Sequence, residues 1–363
     1  MRTMGEFMSS WRTRLHDRRQ RTMAIGLRLH ERYNRLFWAL HSTWALLTGI
    51  VVLVLAHNRY GYLKWVVLFL GLTWAPTLFF SRFAVKTTTP ARRFAEGFVS
   101  YITRVMYQET LFFLLPFYFF STTFPSLNCG YVIVLAGLAA LSCFDLVFDR
   151  LLRTSRPFAV GFFAFVTYSA LQFFLPLVLA VRIHNGAYLA AAAAFFASLP
   201  VAYSWRELKQ GRRLVSIGLV LIAIIAVLKV GRGLIPPVPL RLVGMSFADG
   251  IDPRTLQLDR ELKGTVSVRE LSYGRLCVRG TIFFPGTLKV DAHMRFFRNG
   301  ELIKTSRTLE LTAHRWGFRV WDAVRADRGR FLPGRYRVEL WTHEGQLVGR
   351  DEIRLTDQVR GTS

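Results

Sequence analysis

Residues 214–230 read LVSIGLVLIAIIAVLKV, an apolar run interrupted only by Ser216, Gly218 and Lys229. A helix made from it has no polar stripe to offer water, and about 20 such residues cross the roughly 30 Å hydrocarbon layer of a bilayer. Within that layer every backbone N–H and C=O must be satisfied by the chain itself, so the folds open to such a segment are helices and closed barrels. Six further stretches share the property, at approximately 36–57, 61–80, 99–122, 130–148, 158–181 and 186–204. The last of these, GAYLAAAAAFFASLPVAYS, is the weakest, because alanine contributes little to insertion. A positive mean hydropathy of +0.28 and a hydrophobic share of 52% agree with an integral membrane protein. The expected membrane part is an α-helical bundle of about seven transmembrane helices over residues 36–230.

The connections between these runs set an orientation. Nine arginines precede residue 36, and the connections SRFAVKTTTPARRF, DRLLRTSRP and WRELKQGRR carry four, three and four basic residues; the intervening ones hold only Arg59 and Arg182. Lys and Arg of short loops stay on the cytoplasmic side. The asymmetry predicts seven crossings of a bacterial-type inner membrane, with the N-terminus cytoplasmic and everything after residue 231 periplasmic. The basic region is too long for a signal peptide and no A-x-A-like site follows it, so the first helix is expected to stay uncleaved. Within the arm 1–35, Trp11, Leu15, Thr22, Ile25 and Leu29 recur among the arginines at roughly helical spacing. That pattern suits a helix lying on anionic lipid, and it equally suits arginines that only fix topology.

After LIPPVPL the pattern changes from continuous to alternating. Pro236, Pro237 and Pro239 mark 231–240 as a stiff linker. In LKVDAHMRFF, Val290, Ala292, Met294 and Phe296 share one face; in RYRVELWT, Tyr336, Val338 and Leu340 do the same. Asn299-Gly300 is a type I′ hairpin signal, and Pro285-Gly286 and Pro333-Gly334 mark further turns. The expectation for 241–358 is an all-β, immunoglobulin-like sandwich, with 359–363 as a tail.

The segment from GTIFFPG through HMRFFRNGELIKTSRTLELTAHRWGFRVWDAV to GRYRVELWTHEGQLVGRDEIRL resembles the C-terminal module of bacterial proteins classed as domain of unknown function 2914. The likeness rests on Arg315-Trp316-Gly317-Phe318-Arg319-Val320-Trp321, a Gly-x-Tyr-x-Val strand and the closing GRDEIRL strand. It departs from the pattern at Met294, which follows His293 where members carry Trp. The resemblance implies a β module placed after a multi-helix membrane segment and implies no reaction.

Charges within apolar runs are candidates for function. Arg104, Gln108, Glu109 and Asp145 form the expected intramembrane polar cluster, either as an ion cluster near the headgroups or as a proton or ion relay. In the C-terminal part, Arg315, Trp316, Arg319, Trp321 and Trp341 can make an aromatic, cationic surface for a protein or glycan of the envelope, or pack the sandwich core. Cys143 is expected to be a small core residue. Neither the cysteines nor His293, His314 and His343 show metal-ligand spacing, and no nucleophile elbow, phosphate loop or zincin motif is present, so no cofactor, metal or catalytic residue is assigned. Residues 241–363 hold 22 Lys and Arg against 15 Asp and Glu, so the basic excess belongs mostly to the arm and loops and nucleic acid is not an expected partner. The partners expected are the bilayer, anionic lipid at the arm and an envelope protein or glycan. The function expected is non-catalytic binding by the sandwich with the helices as anchor or relay; the alternative is a transporter or channel using Glu109 and Asp145.

Overall fold

The computed structural model describes residues 90–357, except 125, 180, 272–273, 285–288, 313–316 and 327–329, together with Thr43, Trp44, Leu47 and Val51. The basic arm and the apolar runs 36–57 and 61–80 therefore lie, almost entirely, outside the described residues. Seven helices follow: α1 (Pro90–Phe120), α2 (Cys129–Ser142), α3 (Asp145–Thr154), α4 (Arg156–Leu179), α5 (Ile183–Ala202), the one-turn α6 (Trp205–Leu208) and α7 (Gly211–Val230). A 3-10 turn, Gly231–Leu234, extends α7. Among the described residues three segments are long and apolar enough to span a bilayer: Arg156–Leu179, Asn185–Ala202 and Gly211–Leu234. The expectation of seven spans is thus not supported, and three candidates take its place.

For the run 130–148 the correction has a local cause. The run 130–148 is not one helix: α2 ends at Ser142 and is only 14 residues long, about 21 Å at 1.5 Å per residue. Phe144 leaves helical geometry at φ −91° and ψ 76°, and Asp145 then opens a separate amphipathic helix. Cys143 sits at this break and is exposed, not a core residue. By contrast the alanine-rich segment does form a full helix. Its small residues let α5 approach α4 closely: a Cβ on Gly186 would lie 2.8 Å from Pro176 Cγ. The core of the bundle is aromatic, with Phe117 and Phe173 ring centroids 4.3 Å apart and Tyr107 edge-on to Phe162 at 5.0 Å.

Among the described residues the C-terminal part has ten strands in two sheets: β1 (Arg241–Ala248), β2 (Glu261–Leu262), β3 (Thr265–Ser267), β4 (Arg275–Phe283), β5 (Lys289–Arg298), β6 (Glu301–Thr305), β7 (Leu309–Thr312), β8 (Phe318–Arg325), β9 (Gly334–Thr342) and β10 (Leu347–Thr356). One sheet has the order β2-β1-β4-β8; the other runs β3-β10-β9-β5-β6, with β7 also paired to β5. Every pairing is antiparallel except β3 with β10. Val278 and Ile282 from the first sheet share one core with Met294, Phe296, Val338 and Leu340 from the second. The alternation in β5 and β9 is thus realised as expected: Val290, Ala292, Met294, Phe296, Tyr336, Val338 and Leu340 are all buried. Asn299 and Gly300 take φ 50° and 91°, the left-handed pair that a type I′ turn between β5 and β6 requires. Lys304 of β6 donates to Asp322 Oδ1 of β8 at 2.7 Å, tying the edges of the two sheets together.

Helices and sheets share a packed boundary. The proline-rich stretch between them is buried from Ile235 through Leu240. Ile183, the first residue of α5, belongs to the core of the sheets, while Val238 belongs to the core of the helices. Asn128 Nδ2 donates to the Leu347 carbonyl at 3.2 Å, and Gln346 Nε2 to the Ile235 carbonyl at 2.9 Å. Arg241 of β1 lies over the Phe120 ring at 4.7 Å. Buried backbone is satisfied across the boundary by buried side chains, the arrangement expected of one packed unit.

Candidate functional site

The structure distributes the expected polar cluster over one end of the bundle, away from the sheets. Gln108 is fully buried in α1 and donates from Nε2 to Cys143 Sγ at 3.4 Å, which brings α1 against the break that precedes Asp145. Glu109 is half-buried on the same helix. Arg104 lies on α1 and Asp145 is the first residue of α3. Asp145 accordingly stands at the start of an amphipathic helix instead of inside a transmembrane one, because the chain breaks at Phe144.

The expected aromatic surface is divided between the two sheets. Arg319 and Trp321 alternate with Val320 and Val324 of the core, so they project from the opposite face of β8, Trp321 across from Arg279 and Arg319 across from Thr281. Trp341 belongs to β9 in the other sheet, across from His293. Arg315 and Trp316 lie outside the described residues. Trp341 is instead part of a ladder on the outer face of its own sheet: its indole N–H donates to Glu339 Oε2 at 3.0 Å, and Arg295 covers its ring at 5.1 Å. Arg295 Nε also donates to His293 Nε2 at 3.1 Å. Arg337 lies over Phe297 at 4.8 Å and forms an ion pair with Glu339 at 3.0 Å. Partial burial, followed by the Arg295 charge, lowers the His293 pKa below its ordinary value. At the next strand, the Arg335 guanidinium holds Glu352 below the usual carboxylate range, whereas burial raises Asp351 beside it. Cys277, a buried residue of β4, is a free thiol pushed up to about 11 by desolvation.

A third site was not among the expected ones. At the sheet end of the bundle a polar layer runs through the aromatic core. Tyr118 donates to the Ser169 carbonyl at 2.9 Å and to Gln172 Oε1 at 3.2 Å, and the Tyr131 and Ser169 hydroxyls are 2.7 Å apart. Arg232, on the 3-10 turn that follows α7, is directed inward beside this layer and is only 5% exposed. Its guanidinium lies over the Tyr188 ring at 5.3 Å and within electrostatic reach of the Tyr168 hydroxyl. Neither Nε nor Nη2 of Arg232 has a hydrogen-bond partner, and neither does the Tyr168 hydroxyl. Among the described residues no carboxylate forms an ion pair with Arg232. A buried, uncompensated arginine is expensive, by several kcal/mol even after relaxation. In sequence Arg232 reads as one more cation flanking a membrane span; the signal that singles it out is its position within GRGL, directly before the prolines that fold the chain back onto the helices.

No curated protein matches the chain. No match to the 2914 module was found over the C-terminal segment. Residues 15–277 match the family of unknown function DUF5924, a span that runs from the basic arm through every described helix, across the Arg232 turn and into β4. The match covers well over half of the chain and includes both sides of the helix–sheet boundary, and the protein therefore belongs to the DUF5924 family of unknown function.

Proposed function

We propose that this chain is a non-catalytic receptor of the bacterial inner membrane: its basic N-terminus is cytoplasmic, its two-sheet part is an immunoglobulin-like module in the periplasm similar to the 2914 module, and that part binds a protein or glycan of the envelope. The helices anchor the module and take up its bound state. The observation that carries this reading is the shared boundary. A module on a flexible tether would need no helix residue in its core, yet Ile183 sits in the core of the sheets and Val238 in that of the helices. A force on the sheets is passed to α5 through packed side chains, which resist continuous deformation. The contact surface is the outer ladder of His293, Arg295, Phe297 and Trp341, whose aromatic and cationic groups suit acidic or sugar-bearing partners.

The test uses Cys143, a native exposed thiol at the opposite end of the bundle, in a full-length variant with Cys129 and Cys277 replaced by Ser. In detergent, peptidoglycan fragments are expected to bind and to change the rate of Cys143 labelling by a maleimide, and Trp341→Ala is expected to abolish both effects. Binding without any change in labelling would reduce the helices to an anchor; the absence of binding by peptidoglycan and by envelope proteins would remove the receptor reading. An extracytoplasmic reporter fused after Ser363 is expected to be active, and activity of a cytoplasmic one instead would reverse the orientation. Transport through Glu109 and Asp145 has less support, since Asp145 opens a separate amphipathic helix; unchanged ion flux in Glu109→Gln and Asp145→Asn variants is the expected result.

A further inference from the structure

Arg232 presents a specific chemistry that no other described residue uses. Nε–H and Nη2–H lie on one edge of the guanidinium, the two-pronged edge that matches a pair of oxygens on a phosphate or carboxylate. Both are buried and unpartnered, and the Tyr168 hydroxyl beside them is a third free donor. On α4, Gln172 stands one turn from Tyr168 and its Nε2 is also unpartnered. Three buried donors around a full positive charge, with Gln172 Nε2 one turn along the same helix and no acceptor bonded to any of them among the described residues, make a cradle for an anion.

The helices and the apolar runs before them are a poor source of that anion, and Asp291 at the boundary is already paired with Arg182 at 3.7 Å. Between Glu31 and Glu96 there is no Asp or Glu at all, so the apolar runs before α1 have no carboxylate to bring to Arg232. Glu109, Asp145 and Glu207 belong to the opposite end of the bundle, where Arg156 of α4 reaches the Ala202 carbonyl that closes α5. The turn carrying Arg232 ends the candidate span Gly211–Leu234, the depth at which headgroup phosphates lie when α7 crosses a bilayer. The exposed apolar side chains of that span, Leu219, Ile222, Val227 and Val230 among them, suit contact with acyl chains.

We propose that Arg232, Tyr168 and Gln172 form a binding site for a phosphate group at the boundary between helices and sheets, with the Tyr188 ring supporting the guanidinium. Two oxygens of the phosphate accept from Nε and Nη2 of Arg232, and a third accepts from Tyr168. The phosphate belongs to a phospholipid headgroup or is free in solution; the chemistry of the site is the same for both. The site is independent of the receptor reading, because no residue of the sheet surface takes part.

The experiment uses the full chain in dodecyl maltoside without phosphate, followed by thermal unfolding. One arm adds sodium phosphate against sodium chloride of equal ionic strength; the other adds phosphatidylglycerol against an uncharged glycolipid. A stabilisation that saturates in either arm is expected, and the arm in which it occurs at the lower concentration identifies the source. Arg232→Gln is expected to raise the apparent Kd by about thirtyfold or more, within the usual range for hydrogen bonds to a charged group. Tyr168→Phe, which keeps the packing, is expected to raise it by roughly fivefold and guards against a trivial folding defect in the first variant. Equal responses to phosphate and chloride together with equal responses to the two lipids would overturn the proposal. So would a phosphate or lipid response that persists unchanged in both Arg232→Gln and Tyr168→Phe.

Discussion

The outer face of the six-stranded sheet and the inner layer of the bundle each hold an arginine against an aromatic ring, and they dispose of its charge in opposite ways. Arg337 lies over Phe297, keeps its side chain 34% exposed and meets Glu339 at 3.0 Å. Arg232 lies over Tyr188, is 5% exposed and meets no carboxylate among the described residues. The sheet settles the charge of Arg337 by an ion pair within the chain and stays partly wet. The bundle sets its charge apart from both water and any counter-charge among the described residues, an arrangement that an anion from outside the chain would complete. The difference separates a surface built for its own stability, and available for contact, from a site built for an occupant.

The comparison can be broken or sharpened by substitution, measured as chemical unfolding of the full chain in phosphate-free detergent. The largest effect is expected from Phe296→Ala, about 3–5 kcal/mol, since this ring is 1% exposed in the core shared by both sheets and Ile183. Arg337→Met strands Glu339, whose side chain is 8% exposed, and is expected to cost about 2 kcal/mol. Arg232→Met strands nothing and is expected to be neutral or stabilising without ligand, the reverse of its partner in the comparison. If both arginine variants lost equal stability, the contrast between the two regions would fail. Gly349→Ala is next, at about 1–2 kcal/mol, because a Cβ there would fall 2.2 Å from Leu242 Cδ2 where β1 meets β10. Gln346→Ala removes the bond to the Ile235 carbonyl and is expected to cost about 1 kcal/mol while exposing the chain near Pro236 to proteolysis. The smallest effect is in pH dependence. His293 has its folded pKa below the unfolded value near 6.5, so its contribution is present above that pH and is lost as pH falls below it. His293→Gln is expected to flatten stability in that window alone.

The sheets were more legible in the sequence than the helices, for a physical reason. A half-buried strand writes its environment into the chain with period two, and β5 and β9 do so without error; Asn299-Gly300 names its own turn because few other pairs tolerate two positive φ angles. An apolar run records only that a segment avoids water. It passes straight through the break at Phe144, so it overstates α2 and misplaces Asp145. The weak alanine segment is a full helix because Gly186 and its neighbours pack on α4, a tertiary gain that hydropathy does not count. Trp321 and Trp341 look equivalent in sequence, yet the crossover of the chain between sheets puts them on different faces. Arg232 is hidden for the same kind of reason: its identity is ordinary for the end of a span, and only the fold of 235–240 over the bundle buries it.

The bond from Asn128 to the Leu347 carbonyl joins residues 219 apart in sequence. At roughly 5–20 residues per second, a ribosome needs roughly 10 to 45 s to travel from one to the other. Arg232 emerges 115 residues before Leu347, so for roughly 6 to 23 s of that interval the bundle stands without its lid, and the inner end of α5 lacks the strands that later enclose Ile183. The newborn protein thus carries Arg232 with the sheet side of the boundary unbuilt until its last strand arrives, which gives the proposed phosphate a way in during synthesis as well as into the finished molecule.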